Sequence, residues 1–353
     1  MLCKKCFVQF SGSQQLRTLA AYSTTALDGN YAWVRQNKNP RLVLKKHAVP
    51  HLSNPHDVLI QVKAASVNPM DVRMIEKYGE TILSAYSKVK QLSQGPLSWC
   101  TANPLNETVS TSVLGRDFSG VVESVGHLVT RFKPGDEVYG ATDPAMEGSH
   151  SLYTVVPQHC ISLKPGNLSH IESASFPYAA LTFLSAVKMY TKCKGPITNQ
   201  RVLVNGGAGG VGTFAIQYLK AMGCEVTVCV SETGCEVVKG LNPNYILDYK
   251  AEEFEWELRQ LAGFDVVFNL AGDETALKYV KPTGWFLAAN SPLLKAADDR
   301  GLVFGSVQSS YMLTSKVVQA LYNHGVHYSW IFFTPSAASL EEIKLLVEGN
   351  KVS

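Results

Sequence analysis

The clearest chemical pattern in the sequence is the segment Gly207-Ala208-Gly209-Gly210-Val211-Gly212, which fits G-x-G-x-x-G. It lies between a short apolar run, 202–205, and a stretch with helical apolar spacing, 211–222. A strand, a glycine turn and a helix in this order let backbone N–H groups approach a pyrophosphate at the helix N-terminus. The alternative is a glycine-rich loop that only closes a βα unit. The context favours a dinucleotide site formed by Ala208, Gly209, Gly210, Val211 and Gly212.

The choice of dinucleotide depends on the residues that follow the next strand. A carboxylate at that point usually holds the ribose 2′-OH of NAD(H). This sequence has Ser231, with Glu232 one position later, and a serine hydroxyl can donate to a 2′-phosphate that a carboxylate would repel. Tyr249 offers a second hydroxyl, and Lys239 or Lys250 offers positive charge. These residues favour NADPH over NADH, while the alternative role of Ser231 is a helix N-cap.

The elements that must position this glycine loop alternate regularly between strands and helices. Six short apolar segments alternate with helical intervals after residue 166, at 202–205, 225–230, 245–247, 265–268, 285–288 and 326–333. A further helix is expected at 339–348. Alternating strands and helices predict a parallel sheet with right-handed crossovers, and six strands suit a doubly wound dinucleotide fold. We therefore place a nucleotide-binding domain at 166–353.

The preceding part of the chain, 28–165, has the pattern of a β-rich domain. Strand-length segments with β-branched residues occur at 58–64 and 118–125, and a Pro-Gly-Asp turn at 134–136 precedes another strand. Short strands separated by turns indicate a barrel or a sandwich. The polar stretch 80–111 has no clear pattern, and we expect it to be a loop or an insertion.

Composition excludes several classes of protein. The chain has 353 residues, of which 46% are hydrophobic and 17% charged, as in globular domains. Its formal net charge of +3 is too small to indicate a nucleic-acid partner, and no apolar run reaches the ~20 residues of a membrane-spanning helix. Eight scattered cysteines in a chain of this length suit a reducing compartment.

The first 27 residues differ from the rest. They contain Lys4, Lys5 and Arg17, many hydroxyl residues and no acidic residue before Asp28. This composition predicts a mitochondrial transit peptide at 1–27, the alternative being a disordered tail.

Four further motifs, in order along the chain, carry a resemblance to a known family. They occupy 64–72, 115–122, 133–138 and 176–182, ahead of the glycine loop. The sequence resembles the medium-chain dehydrogenase/reductase superfamily, in its quinone oxidoreductase-like branch, over about 30–351. The resemblance implies an α/β protein with a GroES-like domain at 28–165 and a Rossmann domain at 166–353. It also implies an NADPH-dependent oxidoreductase of the mitochondrial matrix that is linked to ubiquinone biosynthesis and reduces a small-molecule quinone or enone.

The resemblance also bears on metal content. Zinc-dependent members have a cysteine ligand where this chain has Asn68 and a histidine ligand where it has Arg116. Neither replacement binds zinc well, so no metal site is expected. Hydride transfer to a conjugated acceptor can proceed without a Lewis acid when hydrogen-bond donors and a proton stabilise the developing charge.

Three residues are candidates for catalysis by the same resemblance. Asn68 would orient the substrate beside the nicotinamide, Tyr78 would donate a proton to an enolate, and Thr182 would meet the nicotinamide ring. Their alternative roles are a turn residue before Pro69, a packed loop aromatic and a helix hydroxyl bonded to its own backbone. His324 and His327 have no paired acid in the sequence, and we interpret them as structural.

Some positions depart from the family pattern. Leu152 replaces a usual Glu, and Gly207 replaces a usual Ala. Leu270 stands where an Asn is expected beside the cofactor, and Asn269 is the candidate to substitute for it. The family's final segment, which returns to the first domain, is expected to be missing after residue 353.

Three functions therefore stay open. They are an NADPH-dependent quinone or enone reductase, a 2-enoyl thioester reductase, and a non-catalytic scaffold that binds a reticulon-type protein partner. A homodimer is compatible with each of them.

Overall fold

The structure, a computed structural model, describes residues 7–9, 30–36, 39–93 and 113–352. The predicted transit peptide lies outside the described residues except for a three-residue strand, β1 (Phe7–Gln9). The described chain forms two compact units. Residues 7–178 and 335–345 form the N-terminal unit, and residues 179–334 and 346–352 form the C-terminal unit.

The N-terminal unit consists mainly of antiparallel strands, as the short strand-length segments and turns of its sequence predict. Its remaining strands are β2 (Asn30–Gln36), β3 (Asn39–His47), β4 (Asp57–Ser66), β5 (Asp117–Val125), β6 (Glu137–Ala141), β7 (Tyr153–Pro157) and β8 (Ile161–Leu163). The main sheet has the order β1-β4-β5-β6-β8, with β7 also paired to β4, and β2 and β3 form a separate hairpin. Its core consists of β-branched and aromatic side chains such as Ile60, Phe118 and Ile161, all completely buried.

The helices of this unit are α1 (Pro69–Ile75), α2 (Glu80–Ser93) and α3 (His170–Ser173). Helix α2 corrects the expectation of a loop in the first part of 80–111, while residues 94–111 lie outside the described residues. The buried side chain of Arg35 explains why a helix begins here. Its guanidinium donates to Glu80 Oε1 over 2.7 Å and to the carbonyl oxygen of Met74 over 3.0 Å, which fixes the start of α2.

The C-terminal unit contains the predicted parallel sheet. Its strands are β9 (Arg201–Asn205), β10 (Glu225–Val230), β11 (Tyr245–Asp248), β12 (Phe264–Asn269), β13 (Val280–Ala288) and β14 (His327–Trp330). They are ordered β11-β10-β9-β12-β13-β14, and all neighbours are parallel. Counted from β9, this is the strand order 3-2-1-4-5-6 of a dinucleotide-binding fold. The prediction of an α/β protein with a doubly wound sheet is confirmed.

The remaining helices of the described chain begin at residue 177 or later. They are α4 (Pro177–Lys194), α5 (Gly210–Ala221), α6 (Glu232–Lys239), α7 (Phe254–Gln260), α8 (Leu293–Arg300), α9 (Leu302–His324) and α10 (Ala337–Glu348), of which the first part of α10 belongs to the N-terminal unit. Phe183 of α4 packs against Phe214 of α5 and Phe268 of β12, with all three rings buried. Within the described ranges, no helix is both long and apolar enough to cross a membrane.

Candidate cofactor and catalytic sites

The glycine loop lies between the end of β9 and the start of α5. A Cβ atom on Gly212 would lie 2.5 Å from the carbonyl oxygen of Gly206, so the first turn of α5 packs directly on the loop backbone. Gly206 has a φ of 90°, a left-handed conformation that favours glycine. At the loop tip, Gly209 and Gly210 are exposed, and Gly209 offers no side chain to cap the helix. The first-turn N–H groups therefore fit a pyrophosphate.

The point where the strand order reverses lies between β9 and β12, and each of these strands ends in an asparagine. Asn205 Nδ2 donates to Asn269 Oδ1 over 3.0 Å. Asn269 Nδ2 is buried and has no hydrogen-bond partner among the described residues. Dinucleotides bind in the crevice at this reversal point, so the unpaired amide fits a cofactor that would accept its hydrogen bond. From the sequence, Asn269 is expected only as a substitute for Leu270, whose N–H donates to the carbonyl oxygen of Asn205.

The residues expected to choose the dinucleotide lie at the ends of β10 and β11. Ser231 occupies the N-cap position of α6 but makes no side-chain capping bond, and its Oγ lies 3.1 Å from Thr233 Oγ1. The N–H of Tyr249 donates to the carbonyl oxygen of Val230, which places Tyr249 beside the end of β10. Lys250 Nζ lies 5.9 Å from the centre of the Tyr249 ring. Ser231, Thr233, Tyr249 and Lys250 thus offer hydroxyls and a cation in one region.

The other lysine considered for this role has a different partner. Lys239, in the last turn of α6, lies 2.5 Å from Glu236 Oε1 and is exposed. The side-chain hydrogen bond to Glu236 raises the pKa of Lys239. Its charge is therefore compensated within α6, whereas Lys250 is the lysine near Tyr249.

Thr182 is half-buried on α4, in the same unit as the glycine loop. Ala179 lies one helical turn before it, and the Ala179 Cβ would be 3.8 Å from a Cβ on Gly210. Residues three apart share a helix face. The face of α4 that carries Thr182 therefore borders the loop tip.

A separate polar cluster occupies the N-terminal unit around Asp117, the first residue of β5. Asp117 Oδ2 accepts 2.8 Å hydrogen bonds from Ser66 Oγ and from Asn68 Nδ2, and Oδ1 accepts one from the N–H of Tyr178. Burial raises the pKa of the Asp117 carboxyl to about 7, while the hydrogen bonds from Asn68, Ser66 and Tyr178 oppose that rise. Asp71 Oδ2 accepts from the N–H of Asn68 over 2.8 Å, so Asn68 is held at both its backbone and its amide.

A completely buried arginine adjoins this cluster. Arg116 Nη1 donates to the carbonyl oxygen of Asp143 over 2.8 Å, and Arg116 Nε lies 3.5 Å from Asp71 Oδ1. Burial lowers the pKa of Arg116, and the neighbouring Asp71 carboxylate opposes this. Across the residues that the structure describes, no three His, Cys, Asp or Glu side chains are placed to hold a metal ion. Asn68 and Arg116, which stand where zinc-dependent relatives have ligands, contribute an amide and a guanidinium, and neither group binds zinc well.

Tyr78 lies in the turn between α1 and α2. Its half-buried ring lies 5.6 Å from the Arg73 guanidinium, and its N–H donates to the carbonyl oxygen of Arg73. Tyr78 belongs to the same unit as the Asp117 cluster. The structure thus groups Asn68 with Asp117 in the N-terminal unit, and groups Thr182, Ser231 and the glycine loop in the C-terminal unit.

Leu152 has a backbone role at its position. Its N–H donates to the carbonyl oxygen of Tyr31, and its carbonyl oxygen accepts from the N–H of Val62. These bonds do not depend on the side chain, so a leucine fits here structurally.

Comparison with known proteins gives a consistent result. The alcohol dehydrogenase GroES-like domain model matches residues 54–169, and the zinc-binding dehydrogenase model matches residues 210–287. A Danio rerio protein named "NAD(P)H oxidoreductase RTN4IP1, mitochondrial" is 38% identical over 330 residues, which cover 91% of this chain and 82% of that protein.

A Caenorhabditis elegans protein named "Reticulon-4-interacting protein 1, mitochondrial" is 33% identical over 327 residues, covering 91% of this chain and 86% of that protein. Among solved structures, the quinone oxidoreductase from Coxiella burnetii superposes with a TM-score of 0.67 at 24% identity. That match covers 92% of this chain and 89% of the other.

Proposed function

The chain belongs to the medium-chain dehydrogenase/reductase superfamily, with mitochondrial NAD(P)H oxidoreductases among its relatives, and we propose that it is an NADPH-dependent reductase of a quinone or enone. As a family member it is a mitochondrial oxidoreductase with a nicotinamide cofactor. The matrix, NADPH, the conjugated acceptor, zinc independence and a link to ubiquinone biosynthesis are the parts that we propose.

The residues that follow β10 support the proposal of NADPH as the cofactor in place of NADH. The Ser231 hydroxyl makes no capping bond to α6, and Tyr249 and Lys250 lie at the adjacent end of β11. Hydroxyls and an ammonium group can bind a 2′-phosphate by charge-assisted hydrogen bonds. Glu232 lies in the first turn of α6, one position beyond Ser231, the position at which a carboxylate would receive the ribose 2′-OH of NADH.

The chemistry of the Asn68 region supports a reaction without zinc. Bound NADPH supplies a hydride. In place of a Lewis acid, the chain offers an amide whose orientation is fixed by Asp117 and Asp71. Such a fixed dipole can orient a conjugated carbonyl without reorganising during the reaction. We assign the delivery of the proton to Tyr78, whose half-buried ring lies beside the Arg73 guanidinium.

A conjugated thioester is a second candidate acceptor, because a tyrosine proton donor serves enone and enoyl thioester reduction alike. The same variant, Tyr78→Phe, should slow the reduction of either acceptor. The rates with a short-chain quinone and with a 2-enoyl thioester then distinguish the two substrates. A reticulon-type protein partner is also part of the proposal, in line with the name of the C. elegans relative.

The test is a fluorescence titration of the purified protein with NADPH and NADH, followed by addition of a short-chain quinone. We expect NADPH to bind more tightly and to be oxidised only when the acceptor is present. Ser231→Asp should weaken NADPH binding at least tenfold, by charge repulsion, and should leave NADH binding unchanged. Prior treatment with a chelator should leave turnover unchanged.

Two lysine variants provide the matched control. Lys250→Ala should weaken NADPH binding, whereas Lys239→Ala should not, because Lys239 is paired with Glu236. Equal affinity of Ser231→Asp and the wild type for NADPH would contradict the cofactor assignment. Binding of NADPH without oxidation by any quinone, enone or enoyl thioester would contradict the reductase and favour the scaffold.

A further inference from the structure

Tyr78, to which we assign the proton, lies in a turn between α1 and α2 whose backbone is tightly constrained. The residues on both sides of it have left-handed backbone conformations, with φ of 68° at Lys77 and 80° at Gly79. Glycine adopts this conformation freely, whereas a lysine adopts it only at a cost in energy. Such a conformation persists where surrounding contacts fix the backbone, and it is frequent at functional sites. The turn that carries Tyr78 therefore depends on contacts that hold it in place.

Hydrogen bonds within the turn supply one part of this constraint. The N–H of Tyr78 donates to the carbonyl oxygen of Arg73 over 3.2 Å, and the N–H of Glu80 donates to the carbonyl oxygen of Lys77 over 3.1 Å. Both bonds join residues within 73–80. They close the turn on itself, and they do not fix it to a distant part of the N-terminal unit.

The buried guanidinium of Arg35, on β2, provides that distant anchor. Its Nη1 donates to the carbonyl oxygen of Met74 over 3.0 Å, and its Nη2 donates to Glu80 Oε1 over 2.7 Å. Met74 precedes Tyr78 by four residues and Glu80 follows it by two, so one side chain binds both ends of the turn. Because the guanidinium is planar and its N–H groups have fixed directions, the two bonds hold these ends at a set separation.

Strand β2 is itself fixed within the N-terminal unit, so Arg35 can act as an anchor. The strand pairs with β3, and Val34, next to Arg35, forms an antiparallel bridge with Val113. The N–H of Trp33 donates to the carbonyl oxygen of His150 over 2.8 Å. The backbone that carries Arg35 is therefore held on several sides before its side chain reaches the turn.

A positioning role explains the burial of Arg35 better than a gain in stability does. Arg35 is only 5% exposed, and its Nε has no hydrogen-bond partner among the described residues. Removing a guanidinium from water is costly, and an apolar side chain of similar size often stabilises a fold as well as a buried ion pair does. An apolar side chain could not bind the Met74 carbonyl and the Glu80 carboxylate at the same time.

We propose that Arg35 is a positioning residue for the reduction, because it holds the turn that presents the Tyr78 hydroxyl to the acceptor. This inference rests on the proposed function. In that reaction the conjugated acceptor takes a hydride from NADPH, the phenol O–H bond of Tyr78 breaks, the resulting anion takes the proton, and solvent returns a proton to the phenolate. Proton transfer needs the two atoms within hydrogen-bond reach, so a looser turn slows this step.

The test is steady-state kinetics of the full chain with Arg35→Ala, Tyr78→Phe and the double variant. Arg35→Ala should lower kcat by about tenfold or more. The KM for a short-chain quinone and the Kd for NADPH should stay within about twofold of the wild type, because neither binding step uses the proton. The double variant should be no slower than Tyr78→Phe, because both changes act on one proton transfer.

Chemical rescue distinguishes positioning from a general loss of structure. Added methylguanidinium should restore part of the kcat of Arg35→Ala and none of that of the double variant. Arg131→Ala is the matched control, because Arg131 is an exposed arginine of the same unit whose guanidinium lies over the Phe132 ring. Its kcat should equal that of the wild type with and without methylguanidinium.

A second variant keeps the test decisive if Arg35→Ala does not fold. Glu80→Ala removes one of the two anchors of Arg35 at a side chain that is 33% exposed, so no buried site is emptied. It should lower kcat while leaving KM and the Kd for NADPH unchanged. In combination with Tyr78→Phe it should cause no further loss.

Three outcomes would overturn the proposal. They are an unchanged kcat in Arg35→Ala or, where that variant is unfolded, in Glu80→Ala; losses from Arg35→Ala and Tyr78→Phe that multiply in the double variant; and a wild-type rate in Tyr78→Phe. All three leave the proposed reductase intact. A wild type that binds NADPH and reduces no acceptor would instead overturn the proposed function together with this inference.

Discussion

At the scale of single residues, Asp117 accepts three hydrogen bonds, yet burial raises the pKa of its carboxyl from 3.8 to about 7. The folded state therefore holds an extra proton between about pH 4 and pH 7. This group stabilises the fold fully below about pH 4, and that contribution is lost as the pH rises through 7. We expect Asp117→Asn to remove this slope from the free energy of unfolding measured by urea titration across that range.

The control for this prediction lies on the same strand. Glu123 is exposed on β5, so Glu123→Gln should leave the dependence of stability on pH unchanged. A slope in Asp117→Asn equal to that of the wild type would show that the carboxyl titrates as it does in water. The hydrogen bonds from Ser66, Asn68 and Tyr178 would then offset the effect of burial on its pKa.

The residues of the site differ in how far sequence alone could identify them. Ser231 could be found from its distance to the glycine loop, since both belong to one local βαβ pattern. The pairing of Asn205 with Asn269 spans 64 residues and depends on β9 and β12 being neighbours in the sheet. The contacts of Asp117 with Ser66, Asn68 and Tyr178 likewise join distant segments. Such clusters become visible only when the fold is known.

At the scale of elements, the loop between β9 and α5 contains glycines with two different roles. A Cβ on Gly212 would lie 2.5 Å from the carbonyl oxygen of Gly206, and a clash between backbone and Cβ cannot be relieved by a side-chain rotation. A Cβ on Gly210 would meet its nearest neighbour at 3.8 Å, an ordinary contact. We expect Gly212→Ala to lower the free energy of unfolding by about 2 kcal/mol or more.

Gly210→Ala is the matched control, and it should stay within about 0.5 kcal/mol of the wild type. Thermal unfolding without nucleotide measures both variants, and nucleotide titration then shows whether the loop still binds. Similar stability of the two variants would contradict the close contact between Gly212 in the first turn of α5 and the carbonyl oxygen of Gly206.

Strands and helices were predicted correctly where buried strands give continuous apolar runs. A helix was missed where polar residues interrupt the apolar pattern. The short apolar runs at β9, β10 and β12 are strands buried on both faces, and each strand predicted for the C-terminal unit is present. Helix α2 was missed because polar residues interrupt its apolar ones, such as Ile82, Tyr86 and Val89. The ion pair of Glu80 with Arg35 that fixes its start is not visible locally.

At the scale of the whole molecule, the N-terminal unit is discontinuous in sequence. Residues 335–345, close to the end of the chain, belong to this unit. The Tyr139 hydroxyl on β6 donates to the carbonyl oxygen of Leu340 over 2.6 Å, and Ser162 Oγ on β8 donates to Glu341 Oε2 over 2.6 Å. These partners are 201 and 179 residues apart. Sequence periodicity predicts the helix at 339–348 but carries no information about which sheet it covers.

A matched pair on α10 tests this discontinuity. Ile343 is completely buried, whereas Leu345 is 64% exposed, and both belong to the N-terminal unit. A buried carboxylate without a partner is costly, so Ile343→Asp should lower the free energy of unfolding by about 3 kcal/mol or more, and Leu345→Asp should have little effect. Hydrogen exchange should then show loss of protection in β6 and β8, because α10 bonds to Tyr139 and Ser162. If the loss were confined to β9–β14, residues 335–345 would belong to the cofactor-binding unit, and the N-terminal unit would be complete without them.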